Sequence, residues 1–147
     1  MQFIARALGC DLVEKLQNKM TESSGRMFKI LIVEDNALFR HALHGALQAH
    51  FPLALCEEAE DSCEAQRIAD EFHPDLVFVD IRLPDESGLE FTRRFKASAA
   101  AASVIVLTSY DSLDYQREAK SCGADHFLVK GQCRHSDIVA LVESIMH

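Results

Sequence analysis

The chain has 147 residues, of which 48% are hydrophobic and 26% are charged. A chain of this length is expected to bury one hydrophobic core. The formal net charge is −8. It argues against direct nucleic-acid binding, because sequence-independent affinity for DNA or RNA comes largely from Lys and Arg against phosphates. No apolar run approaches the ~18 residues of a membrane span, and we therefore expect no membrane association.

The cysteines and histidines give no pattern typical of a metal site. Five cysteines, an odd number, lack metal-site spacing: Cys10, Cys56, Cys63, Cys122 and Cys133. We interpret them as reduced thiols, which predicts a cytoplasmic location. The seven histidines, His41 and His44 among them, have no accompanying set of acidic or thiol ligands in the sequence. We expect them to lie on the solvated surface.

Residues 1–26 differ from the rest of the chain. Apolar side chains recur there at every fourth residue: Ile4, Leu8, Leu12 and Leu16. This spacing predicts an amphipathic helix, followed by a connector at residues 21–25. So short a helix is marginal alone in water, so its apolar face is expected to pack against a surface. The chain's own domain and a second subunit in a homodimer are favoured over a partner protein. We divide the chain into a helical extension and linker at 1–26 and a main domain at 27–147.

The main domain alternates strands with helices. Strands are predicted at 28–33, 53–57, 75–80, 103–108 and 125–129, and helices at 36–50, 62–72, 88–98, 112–122 and 136–146. Asn36 is the expected cap of the first helix and Gly123 ends the fourth. Leu38, Ala42, Leu43, Ala46 and Leu47 are expected to face inward on the first helix. Because the strands are continuously apolar, they indicate a parallel sheet covered on both faces, in a doubly wound α/β fold.

Polar side chains follow four of these strands at the point where each strand ends. Glu34 and Asp35 follow the first strand, Asp80 ends the third, Thr108 ends the fourth and Lys130 follows the fifth. In a doubly wound fold the functional groups lie outside the carboxyl ends of the strands. Clustered carboxylates repel one another, and a cation between them relieves that repulsion. The sequence therefore predicts a cation site at one edge of the sheet.

This ordered set, with Pro84 and Gly88 behind Asp80 and Ser109 behind Thr108, resembles the receiver domain of bacterial two-component response regulators. The resemblance covers about residues 28–146. It implies a flavodoxin-like sheet with strand order 2-1-3-4-5. It also implies a signalling switch in a phosphorelay, not an enzyme acting on an external substrate.

The resemblance implies a role for each polar group. Asp80 would be the phosphoacceptor, attacking a phosphohistidine to form an acyl phosphate. Mg²⁺ would be coordinated by Asp35, Asp80 and the backbone carbonyl of Arg82, with Glu34 acting through a bound water. Lys130 and the Thr108 hydroxyl would each contact a phosphoryl oxygen, so that the site supplies positioning and charge stabilisation.

The resemblance also implies an output and partners. Phosphorylation would add a charge of about −1.5 to −2 and draw Thr108 toward the phosphoryl group, which would let Phe127 move inward as an aromatic switch. The alternative for Phe127 is a simple core position. The implied partners are a sensor histidine kinase or phosphotransfer protein, which supplies the phosphoryl group, and a downstream protein target.

Some positions depart from the family pattern. Gly131 follows Lys130 where a cis proline is usual, and such a glycine is typical of receivers that precede helix-turn-helix output domains. The chain ends at His147, from which we expect a stand-alone receiver with no DNA-binding domain. Two other functions stay open. A Mg²⁺-dependent phosphatase would usually have a second acid at the position of Arg82, and a degenerate receiver would bind partners without phosphorylation.

Overall fold

The computed structural model describes residues 27–146. The predicted helix, connector and dimer contact of residues 1–26 lie outside the described residues. The strands are β1 (Lys29–Val33), β2 (Leu55–Ala59), β3 (Leu76–Asp80), β4 (Ser103–Thr108) and β5 (His126–Val129). The helices are α1 (Ala37–His50), α2 (Ser62–Phe72), α3 (Gly88–Ser98), α4 (Leu113–Ser121) and α5 (His135–Met146).

The five strands form one sheet in the order β2-β1-β3-β4-β5, and all four neighbouring pairs are parallel. The predicted doubly wound fold and its strand order are therefore confirmed. Alternate residues of each central strand face opposite sides, as the pleat requires. Ile30 and Ile32 pack in one apolar cluster with α1 and α5. Leu31 and Val33 pack in the other, with α2 and α3. Because both faces are covered, β1 and β3 read as unbroken apolar runs.

Local side-chain chemistry sets where the helices begin and end. Asn36 caps α1 as predicted, since its side-chain oxygen accepts from the Phe39 N–H at 3.1 Å. Asp61, Ser87 and Ser112 cap α2, α3 and α4 in the same way. Gly123 follows α4 with φ of +99°, a left-handed conformation that glycine adopts without a steric penalty.

Two expectations about local structure were wrong. The second strand begins at Leu55 and not at residue 53. Leu53 and Ala54 are instead buried in a turn, where the Ala54 N–H donates to the Phe51 carbonyl at 3.0 Å. On α1, Leu38 is 82% exposed and Ala42 is also exposed.

The inward face of α1 is a different stripe of the helix. It holds Arg40, Leu43 and Leu47, and residue 38 is about 200° from residue 40 at 100° per residue. A buried arginine therefore occupies a place on this stripe that the hydrophobic pattern does not reveal.

The described part of the chain contains no cis peptide bond, so the Lys130–Gly131 bond is trans. Among the helices of residues 27–146, none is both long and apolar enough to cross a membrane.

Candidate functional site at the carboxyl edge of the sheet

Three carboxylates converge where β1 and β3 end side by side. Val33 pairs with Val79 in the register of these strands, so Glu34 and Asp35 leave β1 beside Asp80. The side chains of Glu34, Asp35 and Asp80 bring carboxylate oxygens within 4.8 Å of one another. Glu34 and Asp80 are buried, and Asp35 is exposed.

Lys130 places its ammonium group among these carboxylates. Its Nζ donates to Glu34 Oε1 and lies 3.4 Å from Asp80 Oδ2. The same ammonium group lies 4.5 Å from the centre of the Phe39 ring, within cation–π range. Burial raises the pKa of Glu34, the Lys130 hydrogen bond opposes this, and the carboxylate of Asp80 reinforces it. The edge thus sets three carboxyl groups against one ammonium group, and burial disfavours the charged form of Glu34.

Thr108 lies on the neighbouring strand, one residue beyond the register partner of Asp80, which is Leu107. It is fully buried. Its Oγ1 accepts a hydrogen bond from the Tyr110 N–H at 3.1 Å. A hydroxyl that accepts one bond still has its own hydrogen to donate.

Phe127 lies on the same face of the sheet as Thr108. It pairs with Val106 on the adjacent strand, and Thr108, two residues after Val106, faces the same side as Val106. Phe127 is half-buried against the cluster that contains Val104 and Val106.

The loop after β3 is fixed by close packing at Gly88. A Cβ built on Gly88 would lie 1.9 Å from the backbone oxygen of Asp80, so a side chain here collides with the backbone of Asp80 itself. The Gly88 N–H donates to the Ile81 carbonyl at 2.7 Å. Arg82 and Ser87 form an antiparallel bridge across the same loop.

Asp85 ties this loop to the start of α2. Its Oδ1 accepts from the Ser62 N–H at 3.0 Å, and its Oδ2 accepts from the Ser62 hydroxyl at 2.7 Å and the Cys63 N–H at 3.0 Å. Burial acts to raise the pKa of Asp85, but these hydrogen bonds outweigh it and lower the pKa to about 2. The loop that follows Asp80 is thus held from both sides.

Two exposed side chains lie on the rim of the site. The Arg82 guanidinium is 4.3 Å from the centre of the Tyr110 ring, so the two form a cation–π pair. Each follows a site residue by two positions, Arg82 after Asp80 and Tyr110 after Thr108.

The donor set fits a hard divalent cation. Its members are all carboxylate oxygens, the ligands that Mg²⁺ and Ca²⁺ take in proteins. Coordination by the backbone carbonyl of Arg82 stays a prediction, as do the assigned roles of Glu34, Asp35 and Asp80 in metal binding. The predicted aromatic switch at Phe127 also stays a prediction.

Several contacts at this edge were not found by sequence reasoning. Arg40 and Glu58 form an ion pair behind β1, with Arg40 Nε 2.7 Å from Glu58 Oε1. His41 and His44 both contact that same carboxylate, although the sequence indicated no acidic partner for them. No signal in the sequence marks this network, because the hydrophobic pattern of α1 does not reveal that Arg40 is buried and so requires an anionic partner.

The strand order β2-β1-β3-β4-β5, with polar groups outside the carboxyl ends of the strands, is that of the flavodoxin-like doubly wound fold. The sequence profile of the response regulator receiver domain matches residues 30–143. The chain therefore belongs to the response regulator receiver domain family, as the sequence resemblance predicted.

Relatives and solved structures agree with this assignment. The virulence transcriptional regulatory protein PhoP of Salmonella typhimurium is 37% identical over 120 residues, which cover 82% of this chain and 52% of that protein. The chain thus spans about half the length of the curated relatives it matches. The N-terminal domain of an uncharacterized protein from Wolinella succinogenes shares 33% identity with a TM-score of 0.74, covering 82% of this chain and 94% of that one.

A CheY-like receiver domain protein from Methanospirillum hungatei has a TM-score of 0.76 at 23% identity, over 82% of this chain and 94% of its own. At that identity the likeness concerns the fold alone.

Proposed function

We propose that this domain is a phosphoacceptor switch in two-component signalling, with Asp80 as the residue that becomes phosphorylated. The observation that carries the proposal is the convergence of Glu34, Asp35, Asp80 and Lys130 from three strand ends onto one edge of the sheet. The donor of the phosphoryl group would be a sensor histidine kinase or a phosphotransfer protein.

The proposed reaction is an in-line transfer. A carboxylate oxygen of Asp80 attacks the phosphorus of a phosphohistidine, a P–O bond forms, and the P–N bond breaks as the imidazole of the donor leaves with the electron pair. Mg²⁺ would neutralise the anionic charge that otherwise keeps the carboxylate and the phosphoryl group apart.

The chain's own groups would stabilise the transferred phosphoryl group. Asp35 and Asp80 would hold the cation directly, Glu34 through a bound water, and the Arg82 carbonyl would supply a further oxygen. Lys130, which now contacts Glu34 and Asp80, would pair with a phosphoryl oxygen. The Thr108 hydroxyl would donate to another.

The proposed output is a change of the surface formed by α4, β5 and α5. The added charge at Asp80 would draw Thr108 toward it, and Phe127, on the same sheet face, would move into the vacated space. This surface would then bind a downstream protein target. The proposal includes a cytoplasmic location, a receiver domain at residues 27–147 and a separate extension at 1–26, which is also the candidate for a homodimer contact.

Phosphorylation by a small donor tests the proposal. The parent protein is expected to gain one phosphoryl group from acetyl phosphate with Mg²⁺ present, measured by intact-protein mass spectrometry. Asp80→Asn should abolish the gain, because an amide is a poor nucleophile and removes one charge from the cation site. Asp70→Asn is the matched control, since the Asp70 side chain is hydrogen-bonded to Gln66 on the exposed surface of α2.

The outcomes separate the phosphoacceptor switch from the degenerate receiver. Labelling of Asp80→Asn at the parent's level would exclude Asp80 as the acceptor. A folded parent that is never labelled would favour the degenerate receiver, which binds partners without phosphorylation.

A further inference from the structure

Arg40 is a buried cation immediately behind the loop that carries Glu34 and Asp35. It lies in the first turn of α1 and is only 5% exposed. Its Nη1 donates to the backbone carbonyl of Glu34 at 2.7 Å, and its Nε donates to Glu58 Oε1, also at 2.7 Å. The guanidinium thus bridges the end of β1 and the neighbouring strand β2.

Glu58 is itself held by several donors, which fixes the far end of the bridge. His44 Nδ1 lies 2.5 Å from Glu58 Oε2, and His41 Nδ1 lies 2.8 Å from Oε1. Burial acts to raise the pKa of Glu58, but the hydrogen bonds from His44, Arg40 and His41 outweigh it and the pKa is lowered. Glu58 is therefore an anionic anchor for Arg40.

The bond to the Glu34 carbonyl fixes the peptide unit that leads into Asp35. The Glu34 N–H already donates to the Ala59 carbonyl at 3.0 Å, and the Asn36 N–H donates to Glu34 Oε2 at 3.3 Å. With Arg40 on the carbonyl, the backbone of Glu34 is held at both its donor and its acceptor. Its side chain is held as well, by Lys130.

The ion pair with Glu58 explains how the guanidinium of Arg40 can be buried. That pair alone does not require the second bond, from Arg40 Nη1 to the Glu34 carbonyl, and a positive charge close to the carboxylates would repel a cation that binds between them. A geometric role accounts for the second bond, because the ligands of Mg²⁺ must approach octahedral positions closely.

We propose that Arg40 is a positioning residue, which holds the Glu34–Asp35 peptide in the conformation that presents both carboxylates to a divalent cation. The inference rests on the proposed function and deepens it. Glu58 does not contact the Glu34–Asp35 peptide in this proposal; it orients the guanidinium of Arg40. Partners of this kind, which contact the ligands and not the metal, typically contribute 10–100-fold to metal affinity.

The direction in which Mg²⁺ affinity changes in Arg40→Met distinguishes a positioning role of Arg40 from a purely electrostatic one. Arg40→Met removes a positive charge, so a purely Coulombic role predicts tighter Mg²⁺ binding, whereas a positioning role predicts binding weaker by roughly tenfold. The dissociation constant would be measured by isothermal titration calorimetry of the metal-free protein with magnesium chloride. Arg93→Met is the matched control, because Arg93 pairs with Glu90 on the exposed side of α3. A dissociation constant for Arg40→Met that is unchanged or lower overturns the proposal.

A second measurement needs no metal. Amide hydrogen exchange of the metal-free protein should be faster at Glu34 and Asn36 in Arg40→Met, by roughly tenfold, while Ile32 in the middle of β1 keeps the parent's rate. Equal acceleration at Ile32 would indicate general destabilisation, and no acceleration at Glu34 would indicate that Arg40 does not hold the loop. Either result overturns the proposal.

Two further arms keep the test decisive. If Arg40→Met does not fold, the double variant Arg40→Met/Glu58→Gln removes the unpaired carboxylate as well and should show the same weakened binding. Failure of the proposed function gives a different result, in which the parent protein itself shows no Mg²⁺ binding while the exchange rates at Glu34 still respond to Arg40→Met.

Discussion

At the scale of single residues, Arg82 and Tyr110 lie two residues beyond Asp80 and Thr108 respectively. We expect their bulk to shield an acyl phosphate on Asp80 from attack by water. The guanidinium stacks on the ring at 4.3 Å, and both side chains are exposed. Stacking restrains two otherwise mobile side chains over the rim of the site. An exposed cation–π contact of this kind is worth about 0.5–1 kcal/mol.

We expect the restrained side chains of Arg82 and Tyr110 to lengthen the lifetime of the phosphoryl group on Asp80. Replacing both Arg82 and Tyr110 by Ala should speed loss of the phosphoryl group from Asp80 by roughly two- to fivefold, the rate equivalent of about 0.5–1 kcal/mol. The loss would be followed by mass spectrometry after removal of acetyl phosphate. Arg67→Ala, on the exposed surface of α2, is the control, and a double variant that decays at the control's rate would remove the shielding argument.

The site residues that could be predicted from the sequence are marked by a local signal, and those that could not be predicted depend on partners distant in the chain. Glu34, Asp35 and Asp80 each follow an unbroken apolar run, so the end of the strand marks them. Arg40 and Asp85 carry no such mark. Their importance comes from partners that folding brings to them, Glu58 at 18 residues from Arg40 and Ser62 at 23 residues from Asp85.

At the scale of elements, the start of α3 is pressed against the end of β3. The contact depends on Gly88, whose missing side chain leaves room for the Asp80 carbonyl. Element order and type could be predicted, because the apolar runs and caps are local signals. The start of β2 and the inward face of α1 could not. Leu53 is a buried apolar residue of a turn, and the sequence does not distinguish it from a buried residue of a strand. Arg40 occupies a buried position of α1 where an apolar residue is expected.

Two glycine substitutions should have opposite effects. Gly88→Ala should destabilise the fold by about 1–3 kcal/mol, because the new methyl group would overlap the Asp80 backbone. Gly45 lies in α1 with open space around the position of a Cβ, so Gly45→Ala should stabilise by about 0.4–1 kcal/mol. Urea denaturation followed by far-ultraviolet circular dichroism measures both. Equal effects would contradict the close approach at Gly88.

At the scale of the whole molecule, the carboxylates with shifted pKa values set the response to acid. Asp85, Glu58 and Glu86 have lowered pKa values because hydrogen bonds and ion pairs favour their charged forms. The pKa of Glu34 is instead raised, chiefly by burial. Groups with lowered pKa values stabilise the folded state above their unfolded pKa and lose that contribution as they are protonated. A raised pKa has the opposite effect, so Glu34 partly offsets the loss in acid.

The contribution of Asp85 has a definite pH window. Its pKa falls from 3.8 to about 2 in the folded protein, so its stabilisation is complete above about pH 4 and lost as the pH falls toward 2. Asp85→Asn should therefore be less stable than the parent at pH 6, and the difference should shrink between pH 4 and pH 2. Urea denaturation at several pH values measures it, with Asp70→Asn as the control. A difference that does not vary with pH would show that the charge of Asp85 contributes nothing.

The contact between Lys130 and Glu34 joins residues that are 96 positions apart in the chain. A ribosome adds about 5–20 residues per second, so roughly 5–20 s separate the synthesis of the acidic pair from that of the lysine. During the later part of that interval the chain contains the three carboxylates but not the lysine that contacts Glu34 and Asp80. The edge that is proposed to receive a phosphoryl group can therefore be completed only after β5 has been synthesised.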